Sequence, residues 1–85
     1  MTVDEFEDAV YELEEIRIVV RISKNTIVSD FKYERKAAAN TSVTQWLEAR
    51  IKPLLNGVQV AVVSGNGTTP HGRTKLETLR ASYES

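Results

Sequence analysis

Ile16-Arg17-Ile18-Val19-Val20-Arg21-Ile22-Ser23 alternates at period two. Successive side chains of a strand point to opposite faces. Ile16, Ile18, Val20 and Ile22 therefore share one face, and Arg17, Val19, Arg21 and Ser23 the other. Lys24-Asn25 reads as a turn, because Asn tolerates positive φ. A second strand is expected from Thr26 to about Lys36, with Ile27, Phe31 and Tyr33 inward and Asp30, Lys32 and Glu34 outward. Together the two runs predict a β-hairpin.

Toward the N-terminus, Thr2-Val3-Asp4-Glu5 fits a capping box, in which the Thr hydroxyl and the Glu carboxylate each satisfy an amide of the first turn. Val3, Phe6, Ala9, Val10 and Leu13 recur at three- and four-residue spacing, which predicts a helix over residues 3–14. Toward the C-terminus, Asn40, Thr41 or Ser42 can cap a second helix. Its apolar face is Val43, Trp46, Leu47, Ile51, Leu54 and Leu55. Pro53 has no amide to donate to the carbonyl four residues back, so that helix should kink or tighten there. Asn56-Gly57 is a left-handed stop.

Residues 58–63, Val-Gln-Val-Ala-Val-Val, predict a third strand covered on both faces or central in its sheet. Residues 64–73 form a flexible Gly-rich loop. Thr74-Lys75-Leu76-Glu77 is a second candidate capping box, and a last helix is expected from Lys75 to Tyr83 with Leu76, Leu79 and Tyr83 inward. The resulting expectation is an α+β fold: a single two-layer domain over residues 1–85 in the order α-β-β-α-β-α. It has a three-stranded, mainly antiparallel sheet of order 2-1-3, with helices packed mainly on one face.

Composition bounds the function. An 85-residue chain has a thin core. It contains no cysteine and one histidine, His71, so thiolate metal sites are excluded and no metal or cofactor is expected. Apolar runs are far shorter than the ~20 residues of a membrane span. The acidic start is the reverse of a targeting signal, so the expected location is cytoplasmic. His71 has no cysteine partner and Ser64 no triad context, so catalysis is not expected.

The charge distribution is uneven. Seven of the twelve carboxylates lie in the first fifteen residues: Asp4, Glu5, Glu7, Asp8, Glu12, Glu14 and Glu15. All eleven Lys and Arg follow, against five acids, so the remainder carries +6 while the whole chain carries −1. Acids at i,i+3 and i,i+4, such as Glu5–Asp8 and Asp8–Glu12, repel by a few tenths of a kcal/mol each. Some basic field, in the chain or in a partner, should offset this. Asp4, Glu5, Glu7, Asp8, Glu12 and Glu15 are the candidate contacts to a basic protein surface. A solvated helix face with favourable dipole and cap is the simpler account of the same residues.

Arg17, Arg21, Lys32, Arg73 and Lys75 are the alternative, anion-binding set. The first three lie on the outer sheet face, and the last two in the loop that opens the last helix. Glycines at 65, 67 and 72 match neither nucleotide-binding spacing, since Pro70 stands where the third glycine of G-x-G-x-x-G belongs. Self-association, with the acidic helix of one copy on the basic sheet of another, is a third arrangement.

Two resemblances extend this. Val60-Ala61-Val62-Val63-Ser64-Gly65-Asn66-Gly67, followed by Leu76-x-x-Leu79-Arg80, resembles the later half of the Smr domain, which acts on nucleic acid. Here Ser64 stands where that family has its histidine and no Leu-Asp-Leu-His-Gly run lies upstream, so its function is not carried over. Residues 2–56 look like the helix–hairpin–helix layout of phage head-completion proteins, with Thr41-Ser42-Val43 leading into the second helix. The size and layout are similar to compact phage-encoded α+β proteins, anti-CRISPR inhibitors among them. By analogy, the expectation is a non-enzymatic inhibitor or adaptor that uses its acidic helix against a basic surface. Nucleic-acid or phosphate binding through the basic set is the alternative.

Overall fold

The computed structural model describes residues 1–84. Helix α1 spans Val3–Glu14. Strand β1 is Arg17–Val20. Helix α2 occupies residues 43–55 in three stretches: α-helical Val43–Trp46, π-helical Leu47–Ile51 and α-helical Lys52–Leu55. Strand β2 is Val60–Val63 and helix α3 is Leu76–Ala81. No helix among the described residues is long and apolar enough to cross a membrane.

The α+β mixture stands, but the sheet has two strands, not three. β1 pairs antiparallel with β2, Arg17 opposite Val63 and Val20 opposite Val60. The expected hairpin does not form, and with it falls the helix–hairpin–helix layout of residues 2–56. Two contacts explain why. The amide of Val20, on the β1 edge that a neighbouring strand would need, donates to Glu7 Oε2 of α1 at 2.8 Å. The backbone of residues 24–28 is taken by the start of α1. Val3 N–H donates to Thr26 O at 2.9 Å, Asp4 N–H to Lys24 O at 3.1 Å, and Val28 N–H to Met1 O at 2.9 Å. The first amides of a helix lack internal partners. Here the expected turn and second strand supply their acceptors, and an isolated bridge between Thr2 and Ile27 is all the pairing that remains.

The burial of that segment follows. Phe31 is buried and packs edge-on against Phe6 with ring centroids 5.7 Å apart. Ile27, expected inward, is 71% exposed. Ile22 is also exposed, because its amide turns back to Val20 O at 2.9 Å and ends the strand. In β2 only Val62 is fully buried, so it is neither central nor covered on both faces.

The helices follow the sequence more closely. Thr2 and Glu5 form the capping box of α1, with Glu5 N–H to Thr2 Oγ1 at 3.2 Å and Thr2 N–H to Glu5 Oε1 at 2.9 Å. Ser42 and Gln45 form an equivalent box on α2. Asn56 and Gly57 end α2 at φ 48° and 84°, in the left-handed region. Pro53 does not tighten α2. The turn before it widens, with Lys52 N–H reaching back to Leu47 O, and Ala49 O accepts a long 3.5 Å contact from the Tyr33 hydroxyl. Helix α3 starts one residue later than expected. Lys75 is its cap and makes no side-chain capping bond, so the second capping box is absent. Instead Leu76 N–H donates to Thr41 O and Glu77 N–H to Ala39 O, while Val43 and Thr44 of α2 donate to Thr74 O and Gly72 O. The starts of α2 and α3 thus satisfy each other across an isolated bridge between Ser42 and Lys75.

Four-residue strands cannot organise a domain alone. The core is Val3, Phe6 and Val10 of α1, Ile16, Ile18 and Val20, Phe31, Val43, Trp46, Ile51 and Leu55 of α2, Val62, and Leu76 and Leu79 of α3. Glu14 lies among them with no exposed surface. Its carboxylate accepts from Arg50 of α2 at 2.7 Å, from Arg80 of α3 at 3.2 Å and from the Ala37 amide at 2.8 Å. Arg80 Nε also donates to the Glu14 carbonyl at 2.8 Å, which neutralises the C-terminal end of α1. Arg50 reaches on to Arg35 O at 2.6 Å and stacks over the Tyr33 ring at 4.4 Å.

Removing one member of such a cluster leaves buried charge without its counterpart. Glu14→Ala should lower stability by about 3–5 kcal/mol, read from urea unfolding followed by circular dichroism. The joint change Glu14→Leu, Arg50→Met, Arg80→Leu should recover most of that loss. A triple variant no more stable than Glu14→Ala would show that the cluster's hydrogen bonds to backbone, not its charge balance, hold the site.

Candidate functional site

α1 turns its seven acids in different directions. Glu14 is buried in the arginine cluster. Glu7 is largely covered and accepts from Lys24 Nζ at 2.6 Å as well as from the Val20 amide. Glu15 pairs with Lys36, whose ammonium holds the Glu15 carboxyl below the usual carboxylate range. Glu5 is held low by the Thr2 backbone amide of the capping box, then by the Thr2 hydroxyl. Asp4, Asp8 and Glu12 are exposed and make no ion pair or hydrogen bond through their side chains with any described residue. They sit at i, i+4 and i+8, so they form one stripe along the outer side of the helix.

Of the six acids that the sequence nominated, three are therefore engaged within the chain and three face outward. The charge split is answered at the base of the helix and unanswered along its crest. Tyr11, exposed beside this stripe, carries Arg17 over its ring at 4.9 Å. A groove of about 360 Å³ runs along this border, lined by Glu7, Asp8, Tyr11, Arg17, Val19 and Val63.

The basic candidates are dispersed. Arg17 and Arg21 belong to the outer side of the sheet, where register sets Arg17 beside Val63 and Val19 beside Ala61. The Arg21 amide donates to Gln59 O at 2.8 Å, which continues this row by one pair. Lys32 lies in the irregular segment between β1 and α2. Arg73 and Lys75 precede α3, whose first amides are already donated to Thr41 and Ala39. His71 Nδ1 accepts from the Arg73 amide at 3.1 Å. Within the Gly-rich segment, Ser64 N–H donates to Thr68 O at 2.8 Å and Gly67 N–H to Ser64 O at 2.9 Å. A Cβ at Gly65 would fall 1.6 Å from Ser82 O, so glycine is required for this close approach to the end of α3.

Glu14 and Tyr83 escaped the sequence reading. Glu14 was legible in principle, because it continues Val3, Phe6 and Val10 by one further turn. Tyr83 was placed inward but not given a role. Its hydroxyl stands between the paired residues at the open end of the sheet, accepting from Arg17 N–H at 3.0 Å and donating to Val63 O. Compared with protein-family models, curated proteins and solved structures, the chain matches none.

Burial raises the pKa of Tyr83 above the ordinary phenol value, against the opposing hydrogen bond from Arg17. A phenol whose folded pKa exceeds its unfolded one favours the folded state fully below about pH 10. That contribution is lost as pH rises through the folded value. Tyr83→Phe should lower stability at neutral pH by about 1–2 kcal/mol. It should also flatten the fall in melting temperature above pH 10. Equal alkaline slopes in the two proteins would exclude Tyr83 as the titrating group.

Proposed function

We propose that the protein is a non-enzymatic interaction module that docks the crest of α1 on a basic surface of another protein, as a blocker or adaptor. The observation that supports this is the unanswered stripe Asp4, Asp8 and Glu12. The domain supplies a Lys, an Arg pair or a cap for every other acid of the helix. The crest keeps three like charges at i,i+4 spacing, an arrangement that repels by a few tenths of a kcal/mol per pair in isolation. A basic partner converts that repulsion into attraction.

Tyr11 gives the stripe an aromatic neighbour of the kind enriched at the centre of interfaces. Exposed carboxylates of this sort speed encounter more than they tighten the complex, so association should be fast at low salt and weaken as the Debye length falls below about 10 Å. Fixed on a capped helix, the three charges lose little freedom on docking.

The test is a charge reversal with a matched control. Asp4→Lys, Asp8→Lys, Glu12→Lys should abolish salt-sensitive capture of a specific protein while the circular dichroism spectrum stays unchanged. Glu34→Lys, Glu48→Lys, Glu84→Lys makes the same change in net charge elsewhere and should retain capture. Loss in both variants would reduce the effect to net charge, and retention in both would remove α1 from the interface.

A further inference from the structure

The strongest site outside α1 is a cleft at the opposite end of the sheet from Tyr83. It measures about 480 Å³ and is lined by Arg21, Lys52, Gln59 and the chain from Gly57 to Ala61. Three elements build it. Arg21 leaves β1, Gln59 enters β2 directly opposite it, and Lys52 comes from the last stretch of α2.

No carboxylate lines the cleft. Another groove, at Thr44, Arg73 and Lys75, shares its electrostatics, but there Gln45 is spent on the α2 cap. The Arg21 guanidinium, the Lys52 ammonium and the Gln59 amide make no hydrogen bond or ion pair with any other described residue. Elsewhere the cations that meet the helices' acids are paired: Lys24, Lys36, Arg50 and Arg80. Arg17 lies over Tyr11. Two cations that line one cleft without a counter-charge repel each other, and an anion between them relieves this. Gly57 holds the rim at φ 84°, and a Cβ there would meet nothing within 4 Å, so the approach is open.

The donor set selects the chemistry. Arg offers a planar fork, Lys a mobile point charge and Gln a neutral N–H donor. Three donors of different geometry, carried by three elements, suit a tetrahedral oxyanion with several acceptor oxygens better than a planar carboxylate. Two positive charges match a phosphate near neutral pH.

We infer that Arg21, Lys52 and Gln59 form a phosphate-binding site, separate in position and in residues from the crest of α1. Its source is either free phosphate or the phosphodiester of a nucleic acid strand, which share this chemistry. Lys32, Arg73 and Lys75 play no part in it.

The experiment titrates ¹⁵N-labelled protein with inorganic phosphate and, separately, with a short single-stranded oligonucleotide, each at constant ionic strength against chloride. Saturable shifts should appear at the amides of Arg21 and residues 57–61. Arg21→Gln and Lys52→Gln should each weaken binding by about tenfold or more with the spectrum otherwise intact. Arg73→Gln, Lys75→Gln should bind as the parent does. Saturation by phosphate alone assigns the free anion, and tighter saturation by the oligonucleotide assigns the strand. Shifts no greater than those in chloride, or shifts that persist in Arg21→Gln, Lys52→Gln, would overturn the site. The α1 charge reversal leaves these residues untouched, so failure here and failure of the docking face are read independently.

Discussion

One buried carboxylate holds this domain in register. Glu14 ends α1, and its oxygens reach α2 through Arg50, α3 through Arg80 and the long irregular segment through the Ala37 amide. Apolar packing is non-directional, and a core this small tolerates several arrangements of three short helices. A charge without exposed surface does not. Its desolvation is offset only when both arginines and the amide are in place, so arrangements that miss any of them are disfavoured by several kcal/mol. The π-helical stretch that carries Arg50 belongs to the same device. A wide turn without a role would be poor helix geometry, and here it presents the guanidinium both to Glu14 and to the ring of Tyr33.

The same carboxylate explains why the charge asymmetry of the chain is only partly available to a partner. Glu7, Glu14 and Glu15 bind Lys24, the two arginines and Lys36, so much of the acidic count belongs to the domain's own cohesion. Asp4, Asp8 and Glu12 stand apart because helical periodicity carries them to the other side. Seven acids are thus reduced to three once directions are known, and those three point to a more specific face.

The helices were largely legible in the sequence, because caps and stops are local. Thr2 with Glu5, Ser42 and Asn56-Gly57 act within a few residues of themselves. The sheet was not, because pairing depends on which backbone groups remain free. The alternation of residues 16–23 identified β1. Nothing local said that Glu7 would take the Val20 amide, or that the carbonyls of residues 24–26 would serve the start of α1. The candidate site divides the same way. The stripe Asp4, Asp8 and Glu12 follows from spacing alone. The cleft of Arg21, Lys52 and Gln59 joins residues far apart in the chain, and only the fold brings them together.

The hydroxyl of Tyr83 has a consequence for the order in which the molecule assembles. It closes the β1–β2 pair from a position 66 residues beyond Arg17, and Arg80 closes the Glu14 cluster across the same separation. Loops of that length must be ordered before either contact forms, which slows folding relative to a locally wired helical domain of this size. During synthesis, the first helix and strand emerge long before their partners. Until α3 arrives, Glu14 lacks the Arg80 contacts that offset its burial. The acidic helix therefore gains its last contacts only once α3 and Tyr83 have been added to the chain.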